Sequence, residues 1–246
     1  MRFDFDQVFD EDYLFFYERR LTPERNDQQV EVVSRLLGLQ PGMRVLDLAC
    51  GHGRIANRLA ERGVAVVGLD ASELFLDLAK ADASRRKVKV EYILGDMRNI
   101  GRSAEFDAII NVFTSFGYFD EEGNRKVFES VYQALKPGGR FLIEHVNRDR
   151  IIREFQPVIL EERDGQYMID RNTYEPSTGC THTERLIIRN GRARKVHFAI
   201  RLFTFPELRD WLKQAGLEEA RVFDEQGQEY SLSSRTMVVV ARKPGS

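Results

Sequence analysis

Two rhythms of apolar and polar positions divide this chain. Thr22-Pro23-Glu24 reads as a helix start, with a hydroxyl to cap the first turn and proline where its missing N–H costs nothing. Val30, Val33 and Leu37 then recur on one face, and Gly38 closes the helix. Short apolar runs follow, alternating with longer amphipathic ones. Arg44–Ala49, Ala65–Asp70, Val90–Leu94, Phe106–Asn111 and Arg140–Val146 read as strands. Helices are expected over Arg54–Arg62, Ser72–Ser84 and Glu121–Leu135, the last broken by Lys136-Pro137-Gly138-Gly139. Strands alternating with helices imply a parallel sheet covered on both faces.

The rhythm changes over residues 156–203. Asp164-Gly165 and Asn190-Gly191 each separate two strand-like runs and supply the positive-φ residues that two-residue hairpins need. An inserted antiparallel sheet of about four strands is expected there. Pro206–Ala215 then reads as a helix and Arg235–Arg242 as a final strand. Near the start, residues 10–17 look like a short aromatic helix. The expected organisation is a helical cap (1–40), an α/β core (41–150), the antiparallel insertion (151–203) and the C-terminal part of the core (204–246).

Composition narrows the function. With 246 residues, 42% of them hydrophobic and 31% charged, the chain is globular and large enough for a sizeable core. Its 37 basic and 39 acidic residues supply no overall field that would draw it onto nucleic acid. Cys50 and Cys180 form no CxxC pair, so neither a disulfide framework nor a metal site is expected. No run of about 18 apolar residues reads as a membrane span, and the acidic MRFDFDQVFDED is no signal peptide, which makes the cytoplasm the expected compartment.

The chemistry is concentrated in VLDLACGHG, residues 45 to 53. A strand carrying Asp47 runs into a Gly-rich turn that opens a helix. Asp70 ends the second strand and suits a pair of ribose hydroxyls. Asp96, with Met97 beside it, ends the third and suits an adenine amino group. Gly51-His52-Gly53-Arg54-Ile55-Ala56 also fits the dinucleotide pattern. Charge separates the two ligands. A pyrophosphate would be repelled by Asp47, whereas S-adenosylmethionine brings an ammonium and a sulfonium and no phosphate.

VLDLACGHGR, GLDAS, GDMR, FDAIINVF and ALKPGGRFLIE together resemble the class I S-adenosylmethionine-dependent methyltransferases over about residues 40 to 146. The resemblance implies a Rossmann-like, mostly parallel seven-stranded sheet with helices on both faces, plus the inserted antiparallel sheet. It implies that Asp47, Gly51 and Gly53 line the methionine part, Asp70 holds the ribose, and Asp96 and Met97 hold the adenine. Asn111 would lie beside the reacting methyl, and Ala49 and Ala71 complete the donor-binding set. The stretch Asn111-Val-Phe-Thr-Ser-Phe-Gly-Tyr118 is similar to the small-molecule branch that includes amino-sugar N-methyltransferases, rather than to the Asn-Pro-Pro-Tyr enzymes.

In those relatives the tyrosine-rich N-terminal segment closes over the donor, which would turn Tyr17 and Arg20 toward the methionine carboxylate. Tyr17, Tyr118 and His145 are the candidate catalytic groups, with Tyr118, His145 and Arg235 on the acceptor side. The insertion is expected to serve as lid and homodimer surface. Arg185, Arg189, Arg192, Arg194, Lys195 and Arg201 face a single acid, Glu184, across 181–201. They read either as a solvated strand face or as contacts for an anionic small-molecule acceptor.

Overall fold

The structure, a computed structural model, describes residues 5–245; the first four residues of the expected cap and Ser246 lie outside the described residues. Two short helices, α1 (Phe5–Val8) and α2 (Glu11–Tyr17), lead through a 3-10 turn (Glu18–Arg20) into α3 (Pro23–Leu37). The Thr22 hydroxyl caps α3 by accepting from Arg25 N, and Gly38 ends it at φ 63°. The core then runs β1 (Arg44–Leu48), α4 (Ala56–Glu61), β2 (Ala65–Asp70), α5 (Glu73–Arg86), β3 (Val90–Leu94), β4 (Phe106–Asn111), α6 (Glu121–Ala134) and β5 (Leu135–Val146). A further short helix, α7 (Arg148–Arg153), which the apolar pattern does not announce, leads into β6 (Val158–Arg163), β7 (Gln166–Glu175), β8 (Cys180–Arg189) and β9 (Arg192–Arg201). The chain closes with α8 (Phe205–Gln214), β10 (Glu218–Phe223) and β11 (Thr236–Arg242).

Seven strands form one sheet in the order β10-β11-β5-β4-β1-β2-β3. The neighbours β1–β2, β2–β3, β1–β4 and β4–β5 are parallel, while β11 runs antiparallel to both β5 and β10. The connections leave β1 toward β2 and β3 on one side and return through β4 on the other. The crevice at the carboxyl ends of β1 and β4 is therefore where such a sheet binds ligands. Strand β10 escapes the apolar pattern because EEARVF is an edge strand with no fully buried residue. Lys136-Pro137-Gly138-Gly139 does end α6, but it forms an irregularity inside β5, whose register with β4 shifts there, rather than a loop before it.

Side-chain alternation splits the core into two layers. Val45, Ala108, Ile110, Val112 and Leu142 pack under α3 and α4. Leu46, Leu48, Ile109, Phe141 and Ile143 pack under α6 and α8. Strands β6–β9 make a separate four-stranded antiparallel sheet. Its two tight hairpins turn at Asp164-Gly165 and Asn190-Gly191, with φ of 51°, 70°, 53° and 71°.

Gly53 shows what the turn after β1 demands. It sits at φ +77°, and a Cβ there would run into the Tyr92 hydroxyl and lie 2.8 Å from Ala79 Cβ. The residue thus lets the turn pack on α5 and β3; it does not border the cleft where the donor was expected to meet it. Gly53→Ala is expected to cost about 1–3 kcal/mol of stability through strain and overpacking, read as a lower denaturant midpoint. An unchanged midpoint would show that the turn has room to relax.

Candidate active site

A cleft enclosing roughly 860 Å3 of non-atom space, open mouth included, lies at the carboxyl end of β1 and β4. Its floor is the Gly turn, with Asp47, Ala49, Gly51, Asp70 and Ala71; Asp96 and Met97 stand at one end, and Val112, Phe113 and Ser115 form the facing wall. Phe5, Phe9, Tyr13 and Leu21, from the N-terminal segment, form a roof. Gly51 has φ +55°, and the nearest atom to a Cβ there is on Phe75, 3.8 Å away, so the backbone borders open space. Ala49 reaches the same left-handed region at φ 60°, which an L-residue adopts only at some strain.

Asp47 is almost fully buried, and neither of its carboxylate oxygens has a hydrogen-bond partner among the described residues. Burial pushes its carboxyl up to about 7, with Arg54 opposing, Asp70 adding to the shift and the Ala56 N–H, close by but outside good hydrogen-bond geometry, pulling weakly the other way. A buried carboxylate left without a partner is costly, and an incoming ammonium would supply that partner. Asp70 is held by two backbone donors, Gly51 N at 2.7 Å and Ser72 N at 2.9 Å. Its carboxyl is raised, chiefly by burial, against the pull of those bonds. Asp96 is half exposed and paired to Arg98, which donates from its backbone N at 2.9 Å and from its guanidinium at 2.5–3.0 Å. Any contact to an adenine amino group must use the acceptor capacity that pair leaves.

Several expected site residues stand elsewhere, and strand alternation explains two of them. Asn111 shares its face with Ile109, away from the cleft; its amide donates to Leu48 O at 2.8 Å, and it does not line the wall beside the donor. His145 likewise shares the face of Phe141 and Ile143. It is fully buried edge-on to Phe203, with Nδ1 3.1 Å from Val146 O. Burial lowers its pKa to about 4, so it stays neutral and enclosed, against the expectation that it acts at the acceptor. Its neighbour Glu144 faces the cleft side. There it accepts from Phe113 N at 3.0 Å and from the Gln29 side chain, while its carbonyl takes Thr114 N at 3.2 Å. Glu144 so fixes a wall in which both Phe113 and Thr114 have positive φ.

Arg20 does not reach the cleft. It pairs with Glu161 of β6 and lies over the Tyr17 ring at 5.1 Å. The cation inside the cleft is Arg54, which the Gly-turn motif carried in plain view as its next residue. Tyr17 stands one ring behind the roof, stacked on Tyr13 at 4.2 Å, and its hydroxyl accepts from Arg185 at 3.2 Å. Tyr118 meets Phe9 at 5.7 Å, and burial raises the phenol pKa of both Tyr13 and Tyr118. These hydroxyls are therefore neutral. Arg235 is exposed and engaged through its backbone N with Glu225, 2.9 Å away, and is not part of the cleft.

The basic residues of the insertion are largely spoken for. Arg185 is buried against Asp170 at 2.7 Å, Arg189 pairs with Asp12 at 2.8 Å, Arg194 binds Asp10 and Asp12, and Arg201 pairs with Glu207. Two of these arginines clamp the acidic N-terminal segment to the inserted sheet. Phe16, Met168 and Ile187 form a small apolar cluster beneath the clamp.

A family described as Methyltransferase domain matches residues 45–139. A Bacillus subtilis (strain 168) protein named methyltransferase YqeM is 30% identical over 187 residues, covering 73% of this chain and 75% of that protein. The chain belongs to this methyltransferase family. A second relative with a methyltransferase name, from Geobacillus sp. (strain WCH70), is 30% identical over 158 residues, 63% of this chain and 64% of that protein, a little under two thirds of its length. Among solved structures, S-adenosylmethionine-bound CalS10, an amino pentose methyltransferase from Micromonospora echinaspora, superposes with a TM-score of 0.70 at 23% identity, covering 99% of both chains. The chain thus has the Rossmann-like methyltransferase fold, and Asp47, Asp70 and Gly51 border its cleft as an unpartnered carboxylate, an ordered carboxylate and open backbone.

A pH test follows from Asp47. Between about pH 4 and 7 the folded protein holds a proton there that the unfolded chain has released, so this group's contribution makes stability fall as pH rises through that window. Asp47→Asn is expected to raise the melting temperature above wild type at pH 8 by a few degrees, on the order of 1–3 kcal/mol, with the difference vanishing near pH 4. The same variant should bind S-adenosylhomocysteine at least about tenfold more weakly, since a bond to a charged group is lost. Equal melting curves at pH 8 would show that Asp47 is not desolvated.

Proposed function

We propose that the chain transfers a methyl group from S-adenosylmethionine to a nitrogen or oxygen of a small-molecule acceptor by in-line displacement, with an amine the favoured acceptor. Bound S-adenosylmethionine supplies an electrophilic methyl on a sulfonium. The chain's own task is to orient the two partners and keep water out. Asp47 receives the donor's ammonium, Asp70 the ribose hydroxyls, and Met97 covers the adenine. Phe113 and the backbone held by Glu144 border the transfer path, and the Phe9–Tyr13 roof excludes solvent.

The observation carrying the amine is the state of the hydroxyls. Tyr13 and Tyr118 are neutral phenols, His145 is enclosed on the other face of the sheet, and burial lowers the pKa of His52, an imidazole that lines the cleft, to about 4, which leaves it a weak base. A neutral amine offers its lone pair before losing a proton, whereas a phenol acceptor of ordinary pKa needs a base first. A small acceptor fits a cleft roofed by the chain's own N-terminal segment. A nicotinamide dinucleotide fits it poorly, because its pyrophosphate would meet the Asp47 carboxylate.

The test is calorimetry followed by a mass-spectrometric screen. S-adenosylhomocysteine is expected to bind with no measurable affinity for NAD or NADP, and amino sugars and other small amines should gain one methyl group. Dinucleotide binding without S-adenosylhomocysteine binding would overturn the proposal.

We also infer that the inserted sheet is lid and dimer surface together. Its outer face exposes Val158 and Leu160, each 58% exposed, beside Tyr167 and Ile188. Apolar side chains grouped on an open sheet tend to be covered by a partner, and β6 is an edge strand. Wild type should sediment as a dimer and Leu160→Glu as a monomer with unchanged S-adenosylhomocysteine affinity; a monomeric wild type would remove the dimer.

A further inference from the structure

Arg54 is a buried cation in a largely apolar cleft, an expensive arrangement unless an anion meets it. Its placement is tightly specified. One terminal nitrogen, Nη1, donates to Asn26 Oδ1 at 3.1 Å and to Gln29 Oε1 at 2.5 Å. Asn26 is itself anchored by donating to Leu21 O at 3.0 Å, and Gln29 by donating to Glu144. The guanidinium lies over the Phe113 ring at 4.9 Å. Nε and Nη2 make no hydrogen bond among the described residues, and the nearby carboxylates of Glu144 and Asp47 act on the guanidinium through charge without a direct ion pair. Two side-chain amides thus fix one corner of the fork and leave its other N–H groups available within a cleft whose floor holds an unpartnered carboxylate.

We propose that Arg54 is the carboxylate-binding residue of the donor site, forming with Asp47 a receptor for the zwitterionic amino-acid end of the donor, in place of Arg20. The inference rests on the donor assignment above and adds a specificity to it: Asp47 takes the α-ammonium, Arg54 takes the α-carboxylate, and a donor lacking that carboxylate is rejected. The rejection arises because the guanidinium would stay buried and unpaired while the rest of the ligand bound normally. A fork held at one corner by Asn26 and Gln29 loses little freedom on meeting a planar carboxylate, which favours arginine over lysine at this position.

The decisive experiment removes the carboxylate from either side. S-adenosylhomocysteine and its decarboxylated analogue, which retains the ammonium, are titrated by calorimetry into wild type, Arg54→Met, Arg54→Lys and Arg20→Met. Wild type is expected to prefer S-adenosylhomocysteine by roughly 10–100-fold, the loss of one or two bonds to a charged group. Arg54→Met should erase most of that preference by weakening S-adenosylhomocysteine alone, Arg54→Lys should keep part of it, and Arg20→Met should keep all of it. Equal binding of both ligands by wild type overturns the proposal without any variant having to fold. So does a preference that survives in Arg54→Met or disappears in Arg20→Met. Absence of binding of either ligand to wild type would instead strike the donor assignment itself.

Discussion

At the end of β1 the fold buries a carboxylate that has no well-formed hydrogen bond among the described residues, only the pull of the nearby Ala56 N–H and of Arg54. A group in that position is stable only if it keeps a proton or finds a cation, and both pressures are visible around Asp47. Much of the surrounding architecture follows from that demand. Arg54 is drawn into the cleft, and a buried guanidinium needs acceptors of its own. Asn26 and Gln29 on α3 supply them. Gln29 then needs Glu144, whose other partner is the backbone of the cleft wall at Phe113. Helix α3 is therefore both a packing layer over β1 and β4 and the polar support of the site.

The catalytic problem is one of placement more than of proton transfer. The hydroxyls close to the cleft are neutral, the imidazole expected to help is sealed beneath Gly117, and burial makes the cleft-lining His52 a weak base with a pKa lowered to about 4. Strain is present where the ligand would sit: Ala49, Phe113 and Thr114 all occupy the left-handed region, held there by strand ends and by Glu144. Backbone in such conformations persists only where its surroundings over-determine it, which favours a rigid cleft.

Much of this was legible in the residues, for local reasons. The strands of the parallel core announce themselves as buried apolar runs, and the hairpins at Asp164-Gly165 and Asn190-Gly191 are written in their turn dipeptides. That Asp47, Gly51 and Asp70 border the cleft was readable because a strand end followed by a glycine turn fixes what faces it. Side-chain parity over β5 was harder. Glu144 and His145 both end the strand, and only the packing of Leu142 under α3 and of Phe141 and Ile143 under α6 and α8 decides which one turns to the cleft. The resemblance placed Arg20 near the donor, yet Glu161 holds it elsewhere. The insertion's arginines looked available because their acidic partners, Asp10 and Asp12, lie at the other end of the chain. Edge strand β10, rich in charge and half exposed, gave no apolar signal to read.

The clamp between the N-terminal segment and the insertion also sets an order of events during synthesis. Asp12 finds its partners 177 and 182 residues further on, at Arg189 and Arg194. A chain emerging from the ribosome has therefore made β1 to β5 and the whole floor of the cleft long before its roof can dock. Parallel sheets already fold slowly because their pairings are distant, and here the roof cannot settle until the insertion that holds it has been made. Until then Phe5, Phe9, Tyr13 and Phe16 travel as an unburied aromatic stretch next to a run of acids. The charges of Asp10 and Asp12 thus stay unpaired beside that aromatic stretch until Arg189 and Arg194 have been translated.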